Sequence, residues 1–303
     1  MSLNPKLSII ITTFNSSKVI LQCLNKIDLN LYSVFVVDNN SKDDTLKIIE
    51  ENFSNKITII KNQKNLGYGR GNNCALKLVE SEFAMILNPD AFIFSKDIEL
   101  ILQTLNQNPE IAICAPLLLK KYPFEQKDFD EEIKVVKKNL RSQENGFVSV
   151  KYIIGACLIL RMSFFQEVGF YDEEIFLYYE DDEICHRVIA NNKICAINTE
   201  AFAYHIGQGS SGKNYRNLYR RFWHRSWSKF HWKEKVKGPT NSHFSAFKLV
   251  ISYSLQTLFY IFIWKPEKII IKIASLAGTI AYLIDLKAFD KNDNPRGNLK
   301  LFS

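Results

Sequence analysis

Leu7-Ser-Ile-Ile-Ile-Thr-Thr13, read together with Val34-Phe-Val-Val-Asp38 and Phe83-Ala-Met-Ile-Leu87, decides the fold. Each is a short run rich in β-branched or aromatic residues, apolar at nearly every position. A strand with one wet face alternates apolar and polar residues. A continuous apolar run predicts a strand covered on both faces. Between these runs lie helical patterns: Val19 to Ile27 behind the cap candidates Ser16 and Ser17, a helix opened by Asp43 and Asp44 and running through Ile49, and Gly71 to Val79. Ile57 to Ile60 supplies one more strand. Strands alternating with helices predict an α/β fold, a mainly parallel central sheet with helices on both faces. Ligands of such sheets bind beyond the carboxyl ends of the strands. The polar clusters Thr12-Thr13, Asp38 to Ser41, Asn62 to Asn73 and Asn88-Pro89-Asp90 fall there.

The chain has 303 residues, 47% of them apolar and 23% charged, with 12 glycines and 8 prolines. That is ample for a buried core and excludes a disordered or collagen-like chain. The net charge of +7 is local: nine basic residues against Glu234 alone lie between Lys213 and Lys237. A near-neutral body with one basic element is expected, rather than a globally basic nucleic-acid binder. Tyr122 to Gly146 is polar and reads as an insertion or loop. Tyr152 to His205 holds a strand at Ala156 to Leu160, an acidic segment and a further strand pair. The division expected is residues 1–212 and 213–303. The six cysteines lack CxxC spacing and read as small buried hydrophobes of a reducing compartment. Leu7 to Ile11 is too short for the apolar region of a signal peptide.

Five clusters are candidates for chemistry. Asp90, in Asn88-Pro89-Asp90, follows a strand directly; it is either part of a structural turn or a ligand for a divalent ion that neutralises a diphosphate. Asp38-Asn39-Asn40-Ser41 is either a turn and helix cap or a set of partners for a base or ribose. Asn65 to Asn73 is Gly-rich and opens a helix, which suits close approach of an anion. Glu180-Asp181-Asp182-Glu183 is either an acidic first turn complementing a helix dipole or a source of a general base with a raised pKa. His205 sits in a polar loop, where imidazole can ligate metal or contact phosphate.

Taken in order, Ser8 to Asn15, Val36 to Ser41, Asn65 to Asn72, Leu87 to Asp90, Gly155 to Arg161, Gly169 to Glu173 and Tyr179 to Arg187 resemble an inverting, family 2-type glycosyltransferase of GT-A fold. The set is most similar to the rhamnosyltransferase-like branch, in which Asn-Pro-Asp stands for the DXD motif. The resemblance implies that Thr12, Thr13 and Asp38, with Asn40 in the same cluster, hold a pyrimidine nucleotide. It implies that Asn65, Gly67 and Asn72 line the diphosphate and sugar, and that Asn88 faces the ribose. Asp90, with His205, would hold Mg²⁺ or Mn²⁺. Asp181 would be the catalytic base, with its neighbour Glu180 as the other carboxylate of the pair. The donor implied is dTDP-rhamnose or a UDP-sugar, and the acceptor a hydroxyl of a lipid-linked or cell-surface glycan. A same-fold nucleotidyltransferase and an inactive membrane-associated scaffold are the alternatives. The first wants a basic Gly-rich loop where Thr12-Thr13-Phe14-Asn15 stands; the second is opposed by the intact Asp38, Asp90 and Asp181.

At 100° per residue, Tyr215, Tyr219, Phe222, Trp223, Trp227 and Phe230 share one arc, with the basic side chains mainly outside it. Such a helix suits either an anionic membrane surface or docking of its aromatic face onto protein. Two apolar stretches follow, Leu249 to Trp264 and Ile269 to Leu286, of 16 and 18 residues. Each falls short of the ~20 a spanning helix needs, and polar stripes run along both. They are expected to lie in or on the membrane, or to form a subunit interface such as that of a homodimer, rather than a transmembrane hairpin. The location expected is cytoplasmic, peripheral on the inner face of the plasma membrane.

Overall fold

In the computed structural model of the chain, all seven residues of β1 (Leu7–Thr13) are buried, as a strand covered on both faces requires. The structure describes residues 6–53, 55–119, 146–205, 207 and 214–298. Most of the expected insertion between Tyr122 and Gly146 lies outside them.

Packing divides the chain into two compact units. The first comprises Met1–Gln63, Gly71–Tyr171 and Ile184–Ser210. Its strands are β1, β2 (Ser33–Asp38), β3 (Thr58–Lys61), β4 (Phe83–Leu87), β5 (Ala91–Ile93), β6 (Ile111–Leu119), β7 (Phe147–Val150), β8 (Cys157–Arg161) and β9 (Ile194–His205). They form one sheet in the order β3-β2-β1-β4-β8-β6-β9-β5, with β7 also on β9. The β3-β2-β1-β4 half is wholly parallel. Beyond it the sheet is mixed, because β8 runs antiparallel to both β4 and β6. The helices are α1 (Ile20–Leu24), α2 (Thr45–Phe53), α3 (Tyr68–Leu76), α4 (Ser95–Gln107), α5 (Met162–Val168) and α6 (Glu180–Ala190). Of these, α3 and α6 begin in the second unit and end in the first. Ile9, Ile11, Val34, Val36, Met85 and Ile101 belong to the main core. Each such fully buried side chain contributes about 1.5–3 kcal/mol.

The strand pair expected before His205 is one twelve-residue strand. Its first half pairs with β7 and its last three residues with β5. Asn198 lets it bend: its Oδ1 accepts from the N–H groups of Glu200 and Ala201, both at 2.8 Å. These local bonds replace ladder partners at the irregularity.

The second unit comprises Lys64–Arg70, Asp172–Glu183 and Ser211–Ser303. It is built on α7 (Tyr215–Lys237), α8 (Pro239–Phe262) and α9 (Pro266–Leu283). The aromatic arc read from the sequence turns inward. Trp223, Trp227 and Phe230 are buried with Phe176, Ala246, Ala274, Tyr282 and Phe289. Trp227 Nε1 donates to Leu286 O at 2.6 Å. A Cβ on Gly278 would lie 2.2 Å from Trp223 O, so α7 and α9 touch at backbone distance there. Trp223, Trp227 and Phe230 thus dock that face onto protein, while Tyr215 at the start of α7 stays exposed. The first apolar stretch extends back to Pro239, making α8 a 24-residue helix long and apolar enough to cross a membrane by length and composition.

Candidate active site

In the first unit, β1 and β2 place Thr13 beside Asp38 in register at their carboxyl ends. Thr13 Oγ1 donates to Asp38 Oδ1 at 3.1 Å, and the Ser41 N–H to Oδ2 at 3.0 Å. This carboxylate is 1% exposed and fixed at both oxygens. Thr12 Oγ1 donates to Asn72 Oδ1 at 2.7 Å, while Asn72 Nδ2 is buried with no hydrogen-bond partner. A buried amide donor left over at the end of a parallel strand is a ready partner for a ligand acceptor. Glycine at position 71 permits the approach: a Cβ there would lie 2.6 Å from Thr12 Cγ2 and 2.9 Å from Asn39 Nδ2.

Asn40 serves the loop instead. It is left-handed (φ 63°), donates from Nδ2 to Gln63 O at 2.6 Å and accepts from Lys42 Nζ at 2.7 Å. Its neighbour Asn39 is the buried one, accepting from Asn62 Nδ2 at 2.9 Å. Consecutive asparagines carry no signal of which faces inward, so the sequence did not single out Asn39.

The end of β4 gives the second cluster. Pairing of β5 with β9 sets Ala91 opposite His205, which brings the imidazole to the preceding residue, Asp90. His205 Nε2 lies 3.3 Å from Asp90 Oδ1 and 3.5 Å from Asn88 Nδ2. Asp90 is buried, and Asn88 Oδ1 is buried without a hydrogen-bond partner. Among the described residues no three His, Cys, Asp or Glu side chains converge as a metal cage. A carboxylate, an imidazole and an orphaned amide oxygen nonetheless fit Mg²⁺ or Mn²⁺, ions that take their remaining ligands from substrate phosphates.

Asn65, Gly67, Glu180 and Asp181 lie in the second unit. Asn65 Oδ1 accepts from the Gly67 N–H at 2.9 Å. Gly67 has φ +86°, and a Cβ there would lie 2.2 Å from Phe176 O. No other residue fits. The same carbonyl accepts from Tyr68 N at 3.1 Å. Arg70 extends this anchorage: Nη1 donates to Asp293 Oδ1 at 2.5 Å, and the guanidinium stands 3.8 Å over the Phe289 ring. Lys64 Nζ holds the other oxygen of Asp293 at 2.9 Å. The Gly-rich loop is therefore clamped by the turn Asp290 to Arg296.

Glu180 is 6% exposed, and its Oε2 has no hydrogen-bond partner. Burial first, then the negative charge of Asp181, pushes its carboxyl well above the usual range. Burial also raises Asp182. The residues before the helix, Tyr178 and Tyr179, both stand at φ 68°. Left-handed backbone costs bulky residues roughly 1–3 kcal/mol and collects at functional sites. Tyr178 accepts from Arg221 Nε at 2.9 Å, and Tyr179 stacks on Trp232. Nothing in the sequence signals this strain.

Two further positions hold Gly169 to Tyr171, the part of the Gly169 to Glu173 motif that lies in the first unit. Asn73 Nδ2 donates to Tyr171 O at 2.9 Å, and its Oδ1 accepts from Tyr171 N at 3.0 Å. Arg187 donates to the carbonyls of Val168, Gly169 and Phe170.

Residues 8–169 match the model of the family described as glycosyl transferase family 2, over half of the chain. The chain belongs to glycosyl transferase family 2. This family 2 protein is 27% identical over 197 residues to the low-salt glycan biosynthesis hexosyltransferase Agl10 of Haloferax volcanii. The match covers 61% of this chain and 62% of the relative, so the chain spans less than two thirds of that protein's length. It is 25% identical over 293 residues to the uncharacterized glycosyltransferase MJ1057 of Methanocaldococcus jannaschii, covering 93% and 94% of the two chains. Among solved structures it is similar to the mannosyltransferase PcManGT of Pyrobaculum calidifontis in complex with GDP-Man and Mn²⁺. The TM-score is 0.56 at 14% identity, with 94% and 88% of the two chains covered. That likeness shows the fold, which is GT-A: a mixed α/β body with a central sheet.

Proposed function

We propose that this family 2 protein transfers a sugar from a nucleotide-diphosphate donor to an acceptor hydroxyl with inversion. One observation carries the reading. At the carboxyl ends of β1, β2 and β4, two buried carboxylates stand ready, Asp38 held by Thr13 and Asp90 beside His205 and Asn88.

Asp38, Thr13 and Thr12 hold the nucleoside. Asn40 keeps the loop over it, and Asn88 faces the ribose. Asn72 donates from its orphaned amide to the diphosphate, while Asn65 and Gly67 shape the loop that lines it. Asp90 and His205 hold Mg²⁺ or Mn²⁺, which, when bound, neutralises charge on the diphosphate. Asp181 takes the acceptor hydroxyl proton as that oxygen bonds to the anomeric carbon. The bond from that carbon to the diphosphate oxygen breaks, and its electron pair leaves with the nucleoside diphosphate from the opposite face. Glu180 is the other carboxylate of the pair, its carboxyl raised by burial and by the charge of Asp181.

The Asn-Pro-Asp motif favours dTDP-rhamnose or a UDP-sugar; GDP-mannose, bound by the Pyrobaculum neighbour, belongs in the same screen. Residues 1–212 carry the chemistry. Residues 213–303 bring it to a lipid-linked or cell-surface glycan at the cytoplasmic face of the membrane, as a monomer or homodimer. Thermal shift with Mn²⁺ and each donor tests the reading. A donor at 100 times its Kd adds about 2.7 kcal/mol of stability. No shift with any nucleotide sugar refutes it.

A further inference from the structure

On α8, Phe244, Phe247, Ile251, Leu255, Leu258, Phe259 and Phe262 are all exposed. At 100° per residue they fall within an arc of roughly 120°. The arc runs ~27 Å along the helix, at 1.5 Å per residue. In the first turns of the helix the opposite side is committed to the unit's interior: Ser242 and Ala246 are fully buried, and Ser242 Oγ donates to Phe230 O at 2.9 Å. The apolar face continues past the helix into Ile263 and Trp264, which turns the chain with φ 48°. Phe262 and Trp264 are 88% and 77% exposed.

Such a row is far larger than the scattered apolar residues of an ordinary surface. Its surroundings are basic. Lys248 lies on the same arc, its ammonium 4.3 Å from the Phe244 ring centroid. Lys265 and Lys268 flank the tip against the single acid Glu267, and Lys272 follows. An apolar stripe edged by lysines and ending in aromatic residues matches the two layers of an anionic bilayer surface, acyl chains beneath and phosphates above.

We propose that α8, rather than the aromatic helix α7, is the membrane-seating element. It lies along an anionic lipid surface with Phe244 to Phe262 against the acyl boundary, Phe262 and Trp264 at the tip, and Lys248, Lys265 and Lys268 among the headgroups. A polar pair bordering the apolar arc, Ser252 and Gln256 hydrogen-bonded at 2.8 Å, favours seating over spanning. The proposal rests on the membrane-surface part of the reading above and locates it.

Flotation with phosphatidylcholine vesicles, with and without phosphatidylglycerol, tests it on the full chain. Wild-type protein should float with the anionic vesicles. Leu258→Glu should weaken that binding about tenfold or more, as expected for placing a charge where an apolar side chain was buried. Lys265→Glu with Lys268→Glu should remove the preference for phosphatidylglycerol, each lysine carrying about fivefold. Tryptophan emission should shift to the blue on vesicle addition and lose that shift in Trp264→Phe, since Trp223 and Trp227 are already buried and Trp232 is half-buried and stacked on Tyr179. Mn²⁺-dependent nucleotide binding should be unchanged in Leu258→Glu, in Lys265→Glu with Lys268→Glu and in Trp264→Phe, which separates this test from that of the transferase reading. Wild-type flotation that survives Leu258→Glu but falls on charge reversal of Arg221 and Arg225 would overturn the assignment to α8 alone. No flotation of wild type overturns the membrane reading with it. In that case a wild-type dimer made monomeric by Leu258→Glu in the ultracentrifuge would give the face to a second copy of the chain.

Discussion

Under the proposed mechanism, Asp181 is the residue that takes the acceptor proton. Asp181→Asn keeps the volume and removes the base. Turnover should fall ~100-fold or more with donor affinity near wild type, the pattern of a lost proton acceptor. Single-turnover kinetics beside donor thermal shift separates the two. Wild-type turnover would move the role to Asp182 or Glu180. A second residue tests burial rather than catalysis. His224 is buried against Phe176, with Nε2 3.0 Å from Arg296 O. Burial pushes its pKa down to about 3. The unfolded chain therefore takes up a proton below pH ~6.5 that the folded chain refuses until about pH 3. Stability from this group is whole above pH ~6.5 and falls by about 1.4 kcal/mol per pH unit across that window. Denaturant unfolding from pH 7 to 5 should show the loss, and His224→Gln should flatten the slope even if its stability is lower throughout.

At the scale of elements, the test falls on how motifs are held. Asn73, on α3, satisfies both backbone groups of Tyr171. Asn73→Ala would remove both of these buried bonds to Tyr171, at about 1–3 kcal/mol for each. Chemical denaturation should show a loss of several kcal/mol, whereas Asn73→Asp should keep the acceptor half. The parallel half of the sheet was legible in the sequence because short β-branched apolar runs alternate with helical patterns, and the polar clusters at the strand ends followed from it. Phe83 to Leu87 matches β4 to the residue. Helix ends were less legible: α3 starts at Tyr68 rather than Gly71, because Phe176, over a hundred residues away, receives the Tyr68 N–H. The aromatic arc of α7 was visible, but its direction was not. An amphipathic pattern states that one face is apolar, and the backbone contact allowed by Gly278 decides what it meets. The pairing of Asp90 with His205 depends on the β5–β9 register, which no local pattern encodes.

For the whole molecule, the six cysteines give a measure of integrity. Five are buried and Cys74 is intermediate, all as free thiols. Burial pushes Cys114 up to about 12 and raises Cys23 and Cys157 further. Thiolates do the reacting, so the buried five should resist alkylation in the native protein. Iodoacetamide at pH 8 should label Cys74 first, and all six only after unfolding. Mass spectrometry over time reads both steps, and early labelling of Cys114 or Cys157 would contradict the packing described here.

The clamp between Asp293 and the pair Lys64 and Arg70 joins residues 223 or more positions apart. Synthesis runs at roughly 5–20 residues per second, so more than ten seconds separate the making of the loop from the making of its latch. During that interval Gly67 and its neighbours have no Asp293 to bind, while the parallel strands β1 to β4 already have their partners. The loop would thus acquire its working shape last, and a nascent chain stalled before residue 290 would carry a formed sheet with an unset Gly-rich loop.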